Sequence, residues 1–377
     1  MINRVIIMRH FTEKALNSTK TAAVIGAFLF CIMNVAEVSE AVSDAVMRCI
    51  DIIIPSLFAI MIVSGLLVKS GITGAVPKLI GRISEKLLGI EGFILPVFTF
   101  GMFAGYPVGA KVICSEAESG RLEKKRAALL CGICYGAGPA FIFGCISDRL
   151  YSSRTAGVIV LVSNTAANII VTLLLVPLLK KTLRRNNVRR SFCLSADMAT
   201  RSVLGAGHAM AEICMMTAAF SVFTVMLESL GVVSFAGSAV SRIFKIDYDT
   251  SGIIVRSLLD VTAASELPCG NFTLLPLISS LTSFGGLCVI MQISAITSGK
   301  ISIKPLILIR LAASVVSFAV CRVIMPFMLK NEIVSAAALK TELHQSRSPV
   351  PSVMLILMTF VIFLEQHDFG EKIRSRR

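Results

Sequence analysis

Residues 92–110 carry no charge and have the composition of a bilayer-buried segment, yet GMFAGYPVGAK, Gly101 to Lys111, sets three glycines and a proline into that run. One uninterrupted helix cannot accommodate them. In hydrocarbon every backbone N–H and C=O needs a partner, so a broken helix persists at depth only where protein covers it or where it borders a wet cavity. Glycine permits a turn and the close approach of another group, while Pro107 fixes φ and removes a donor. The stretch is therefore either a binding site built on exposed backbone or a simple kink between spans.

The surrounding composition settles the medium. With 55% hydrophobic and 16% charged residues and a mean hydropathy of +0.81, the chain is far poorer in charge than a soluble domain, where about a quarter is usual. Its net charge of +14 lies in blocks between apolar runs, as expected of cytoplasmic loops, which excludes nucleic-acid binding. The eleven cysteines lie mostly within apolar runs and read as small packing residues. Cys131 and Cys134 form one CxxC with no matching histidines, so no metal or other cofactor is expected.

Charge order gives the expected topology. Arg4, Arg9, Lys14 and Lys20 place the N-terminus in the cytoplasm of a multi-pass cell-membrane protein, with no cleavable signal and a first span at 21–35. Glu37, Glu40 and Asp44 mark an outside loop, and a span at 50–68 returns inside. Residues 76–88 have the pattern of a helix lying along the membrane surface. Basic segments then flank the interrupted run on both sides, which predicts a re-entrant hairpin with arms near 92–103 and 110–119 and GYPVG at its tip. A span at 127–147 is broken at Gly136, Gly138 and Pro139. The charge-free run 155–179 leads to a strongly basic cytoplasmic block.

The second half opens with a span at 204–230. An apolar stretch holding Arg256, Asp260 and Glu266 follows, and then 267–299 without a charge. That run exceeds the roughly 20 residues of one crossing, so the second arm of another hairpin is expected at 271–280, followed by a span broken at Ser283 to Gly286. In the span at 305–329, Arg310 and Arg322 must snorkel or face protein. A short run at 350–364 precedes a basic tail.

The halves align by eye. Gly71, Arg82 and Gly92 are answered by Gly231, Arg242 and Gly252, and the tips correspond as YPVG, 106–109, and LPCG, 267–270. The expected fold is all-α and polytopic: two inverted repeats, each with three transmembrane helices and a re-entrant hairpin, and flanking terminal spans. The segments are 1–44, 45–201, 202–330 and 331–377. Inverted repeats whose interrupted helices meet near the midplane are a recurrent plan of secondary transporters, and half-helix N-termini there would face an anion or polar solute.

GYPVGAK followed by AALLCGICYGAGPAFIFG, and later LLDVT with SFGGLCVIMQ, resembles the YlbJ-type sporulation integral membrane proteins that carry the Gate (nucleoside recognition) domain. The resemblance covers roughly residues 45–330, and the Gate family is similar to concentrative nucleoside transporters. It implies a transporter-like protein of spore formers associated with the spore cortex. In the family pattern Asn stands where this chain has Gly136, and Glu where it has Asp260, so position 136 brings no side-chain amide to a solute.

The candidate substrate-binding residues are Tyr106, Pro107, Gly109, Gly136, Gly138, Asp260, Glu266, Asn271, Ser283 and Gln292. Tyr106, Pro107 and Gly109 form the first tip. The paired glycines 136 and 138 either expose carbonyls or allow close packing. Asp260 and Glu266 are costly at depth, although Arg256, four residues before Asp260, is placed to neutralise it. Asn271, Ser283 and Gln292, like Asn164 and Asn168, supply either ligands or interhelical glue. The expected function is to move or sense a small polar or anionic solute, with a coupling ion. A non-transporting scaffold in a sporulation complex is the alternative, and no catalytic constellation points to an enzyme. Expected partners are the bilayer, the solute, and a second copy or other sporulation membrane proteins.

Overall fold

The structure, a computed structural model, describes residues 24–70, 94–118, 122–180, 195–297 and 299–336, with a few isolated positions besides. The expected surface helix at 76–88, most of the basic block after Leu179 and the run at 350–364 lie outside the described residues. No strand occurs among the described residues. Among the described residues five helical stretches are long and apolar enough to cross a bilayer: Val35–Val63, Arg154–Leu179, Ala196–Ser229, Phe272–Thr297 and Lys304–Leu329. The chain is an all-α, multi-pass membrane protein.

The first departure from expectation is at Glu37, Glu40 and Asp44, which lie not in a loop but in helix α1, Val35–Arg48. Val38, Ala41, Val42 and Ala45 recur at helical spacing and form its half-buried to buried stripe, leaving the acids on the other side. A π-helical turn, Cys49–Ile53, joins α1 to α2, Ile54–Lys69. Pro55 has no N–H to give to the carbonyl of Asp51. Arg149 Nη2 donates to that oxygen instead, at 3.1 Å.

Helices α3, Ile94–Ala104, and α4, Val108–Glu118, pack against each other around the turn Gly105–Pro107, whose Tyr106–Pro107 bond is cis. At 11 residues each, the arms are about 16 Å long, half of the roughly 30 Å hydrocarbon core, so neither crosses alone. Two of the second arm's charges reach water or a partner, while Glu116 is buried: Lys111 is exposed, and Glu118 accepts from Lys300 Nζ at 2.9 Å, which holds the Lys300 ammonium above its usual pKa. Next, α5, Lys124–Ile133, breaks at residues 134–138 and resumes as α6, Pro139–Phe141, continuing into π-helical turns at Ile142–Tyr151. Helix α7 is Arg154–Lys180.

The second half contains α8, Ala196–Ser229, capped by Ser195; α9, Val232–Phe244; and α10, Tyr248–Leu259, capped by Asp247. Here the second correction appears. The chain turns back at Asp260 rather than at LPCG, and the return arm is a 3₁₀ helix, Val261–Glu266, rather than residues 271–280. A 3₁₀ helix rises about 2 Å per residue, so its six residues span about 12 Å, a shorter arm than those of the first half. Residues 267–270 form the loop beyond it, pinned where Gly270 N donates to Leu150 O at 2.8 Å. What had been assigned to the hairpin is α11, Leu275–Phe284, the first half of a broken span that resumes as α12, Gly286–Thr297. Helix α13 is Lys304–Ala336.

Helix α11 packs on both α7 and α13, and α5 also lies on α13. Small residues permit the approach: a Cβ on Gly132 of α5 would stand 2.9 Å from Ile309 of α13. Helix α8 packs on α1, α2 and α12.

Candidate functional site

Each helix break is occupied by a turn from its own half of the chain. In the first half, a Cβ on Gly101 would lie 2.6 Å from Cys134 O, and one on Gly109 only 2.0 Å from it. Gly138 (φ +75°) sits with its missing Cβ 3.1 Å from Gly105 Cα, and Gly136 likewise 3.1 Å from Met102 Cα. In the second half, a Cβ on Gly286 (φ +81°) would stand 3.0 Å from Val261 N and 3.4 Å from Asp260 Cα. The glycines of GMFAGYPVG and GAG therefore serve close backbone packing at the break.

Between the two breaks lies a connected polar network. The last turn of α11 leaves carbonyls without helical partners, and three side chains from elsewhere supply donors. Tyr106 OH donates to Thr282 O, Arg310 Nη1 to Ser283 O at 3.3 Å, and Tyr135 OH to Phe284 O at 2.8 Å. Arg310 is 1% exposed. Its Nη2 donates to Asn168 Oδ1 at 2.7 Å, its guanidinium lies 4.7 Å from the Tyr135 ring centroid, and Asn168 Nδ2 donates to Tyr135 O at 2.7 Å. One turn away, Asn164 bonds Thr282 Oγ1 at 3.0 Å and accepts from Ser317 at 2.7 Å. A cation at a helix C-terminus opposes the dipole there, so Arg310 both fills the carbonyls and balances the end of α11.

Beside this network is a small chamber of about 40 Å³. Its wall brings together Tyr106 of the first turn, Ala137 and Phe141 at the first break, and Asp260, Val261 and Thr262 of the second turn. Cys288, Val289 and Gln292 of α12, Ile53 and Leu57 beside the π turn, and Ile213 and Thr217 of α8 complete it. Asp260 is in extended backbone, and its carboxylate accepts from Thr262 N at 3.1 Å. Because α10 has ended at Leu259, Arg256 does not neutralise Asp260. It pairs with Glu228 (3.4 Å) and Glu266 (3.3 Å) instead, while Arg48 meets Glu266 at 2.8 Å.

Asp260 also borders a second, wider cavity of about 200 Å³, a vestibule walled by Asp44, Arg48, Ser221, Glu228, Arg256 and Glu266. On the other side, Gln292 and Ile213 border a cleft of about 20 Å³ with Met61, Pro107, Lys111 and Glu212. The three spaces follow one another along α8, past Glu228 and Ser221, then Thr217 and Ile213, then Glu212 and Ala209.

Of the residues singled out from sequence, Tyr106, Asp260 and Gln292 line the chamber, Pro107 the cleft and Glu266 the vestibule. Gly109, Gly136 and Gly138 are buried against backbone outside the chamber wall. Ser283 is buried and engages Arg310 through its carbonyl. Asn271 is exposed, caps Thr273 with its side chain and accepts from Tyr151 OH at 3.0 Å, away from the other residues. Sequence reasoning did not single out Tyr135, Thr217 or Thr262. It carried Arg310 only as a charge in need of cover, although Asn164 and Asn168 at one-turn spacing on the facing helix were the available sign of its partners.

No family model matches the chain. Over 163 residues it is 24% identical to the sporulation integral membrane protein YlbJ of Bacillus subtilis (strain 168), a stretch covering 41% of this chain and 39% of that protein. The chain thus matches about two fifths of its relative's length. Among solved structures it is similar to CNTnw in an inward-facing substrate-bound state, with a TM-score of 0.48 and 12% identity over 81% of this chain and 83% of that one.

Proposed function

We propose that the chain is a transporter-like membrane protein that binds a small polar solute in the chamber between the two turns and passes it between vestibule and cleft. The observation that carries this reading is the run of three cavities along α8, neighbours that share Asp260 in their walls on one side and Gln292 and Ile213 on the other. A carboxylate in the wall disfavours an anion and favours a solute that presents a hydrogen-bond donor, which narrows the polar-or-anionic expectation. At about 40 Å³ the chamber is far smaller than ligand pockets, which are typically about 300–1,000 Å³. Binding must therefore widen it. The turns and the helix breaks are the parts with fewest helical bonds to lose.

The positive-inside pattern supports a cytoplasmic N-terminus, with the Lys300 end inside and the Glu228 end outside. Turns that enter from opposite faces and settle against broken spans support an inverted repeat. The similarity to YlbJ supports a role in sporulation. The test is uptake by proteoliposomes of labelled polar solutes, nucleosides and amino acids among them. Saturable uptake that Asp260→Ala abolishes is the expected result. Wild-type protein that takes up none of them, with sporulation unchanged by Asp260→Ala, would favour the scaffold instead.

A further inference from the structure

We infer that Cys114 and Cys131 form a redox pair, which a hydroperoxide oxidises to a disulfide that clamps the second arm of the first hairpin onto the broken span. Helices α4 and α5 follow each other through a short connection and pack together. They run antiparallel, because Gly109 near the start of α4 meets Cys134 O just past the end of α5, with no room for a Cβ between them. Roughly one turn along from that contact, Cys114 of α4 and Cys131 of α5 are 5% and 2% exposed, and their thiols are hydrogen-bonded to each other. A disulfide is about 2 Å long. Thiols already in hydrogen-bond contact need close only the difference between contact and bond.

The pair has an entrance. Cys114 lines a cavity of about 420 Å³ whose wall carries Lys124 and Lys300 against Glu118. An excess of positive charge beside a thiol favours the thiolate, the form that reacts. Cys131 is outside that wall, so it stands behind Cys114 as the resolving thiol, the arrangement of redox-sensing cysteines. Cys114 sulfur attacks the peroxide and the O–O bond breaks, which leaves Cys114 as a sulfenic acid and releases one water that carries the thiol proton. Cys131 sulfur then attacks Cys114 sulfur. The S–S bond forms as the S–O bond breaks, and the hydroxide leaves with the Cys131 proton as a second water. The two sulfurs supply the two electrons that reduce the peroxide. Cys134, the other half of the CxxC, is 1% exposed at the C-cap of α5, and the fold pairs Cys131 with Cys114 instead. The break follows at residues 134–138, and Tyr106 at the hairpin's turn lines the chamber. The bridge would hold hairpin and break together where the chamber has to widen; that consequence rests on the proposed function, whereas the bridge itself does not.

The test treats purified full-length protein in detergent with hydrogen peroxide. Remaining thiols are then alkylated in denaturant, and tryptic peptides are weighed without reductant. Cleavage after Lys111, Arg121, Arg126 and Arg149 puts Cys114 on one peptide and Cys131, Cys134 and Cys145 on another. The expected product is these two peptides joined, lighter by two hydrogens than their sum, and dithiothreitol should separate them. Cys134→Ser and Cys145→Ser should still form it, which assigns the bond to Cys131. In Cys131→Ser, which lacks the resolving thiol, Cys114 should stop at the sulfenic acid and take up dimedone about tenfold faster than the buried Cys145. A bridge between Cys131 and Cys134, a joined product that survives Cys131→Ser, or both thiols still free at peroxide concentrations that oxidise the exposed Cys269 would each overturn the inference. If Cys131→Ser does not fold, the joined wild-type peptides decide. Solute uptake is no part of the readout, so a protein that transports nothing can pass this test and a transporter can fail it.

Discussion

Removing the guanidinium of Arg310 would orphan Ser283 O and Asn168 Oδ1 in a core that excludes water. Each unsatisfied buried acceptor costs about 1–3 kcal/mol, so Arg310→Met should unfold well below the wild type in a detergent melt. Arg310→Lys should fall between, because an ammonium cannot fork to both acceptors while stacking on Tyr135. Glycine positions separate just as clearly. A methyl on Gly109 meets Cys134 O at 2.0 Å, whereas one on Gly207 meets nothing within 4 Å. Gly109→Ala should fail to accumulate in membranes, and Gly207→Ala should match or exceed the wild type by up to about 1 kcal/mol, from helix propensity. Expression level and thermal melts of the two variants check this. Loss of uptake in a Gly109 variant would consequently report lost packing and say nothing of solute contact.

The 3₁₀ arm of the second hairpin is fastened at its end by Glu266, which reaches α1 through Arg48 and α10 through Arg256. Glu266 is 34% exposed and its partners 22% and 33%, so solvent screening limits each pair to under about 1 kcal/mol. Glu266→Gln, which removes both pairs, should therefore raise the rate of Cys288 alkylation, but by no more than about thirtyfold. An unchanged rate would mean that the chamber opens at another element. These elements also show what a sequence makes legible. The first hairpin and both helix breaks could be placed because glycine and proline inside a charge-free run have few other solutions. The second return arm could not, because six residues of 3₁₀ helix leave no periodic signature and the charge-free run beginning at Leu267 imitates an arm. Helix α1 was missed because Glu37, Glu40 and Asp44 were read as loop charges. Their spacing in fact keeps one side of a helix polar beside a vestibule.

At the scale of the molecule, the cleft beside Lys111 and Glu212 and the cluster around Glu228 and Glu266 mark the two ends of the cavity series, and the Lys300 end is proposed to be the cytoplasmic one. A membrane-impermeant thiol reagent on intact cells should label Asp247→Cys but reach Lys300→Cys only after permeabilisation. Labelling of both from one side would break the proposed topology. Membrane class and helical architecture followed from composition and charge order alone. The polar network did not, because Tyr106, Tyr135, Asn168 and Arg310 are far apart in the chain and meet only once the broken spans are packed. The 34 residues of α8 measure about 51 Å, against a hydrocarbon thickness of about 30 Å. On the proposed topology the vestibule beside its last turns would carry electrolyte towards Asp260, and the transmembrane voltage would then fall largely over the few side chains between Asp260 and the cleft, at about 2.3 kcal/mol per charge per 100 mV. A charge moving only that short distance would draw on most of the potential.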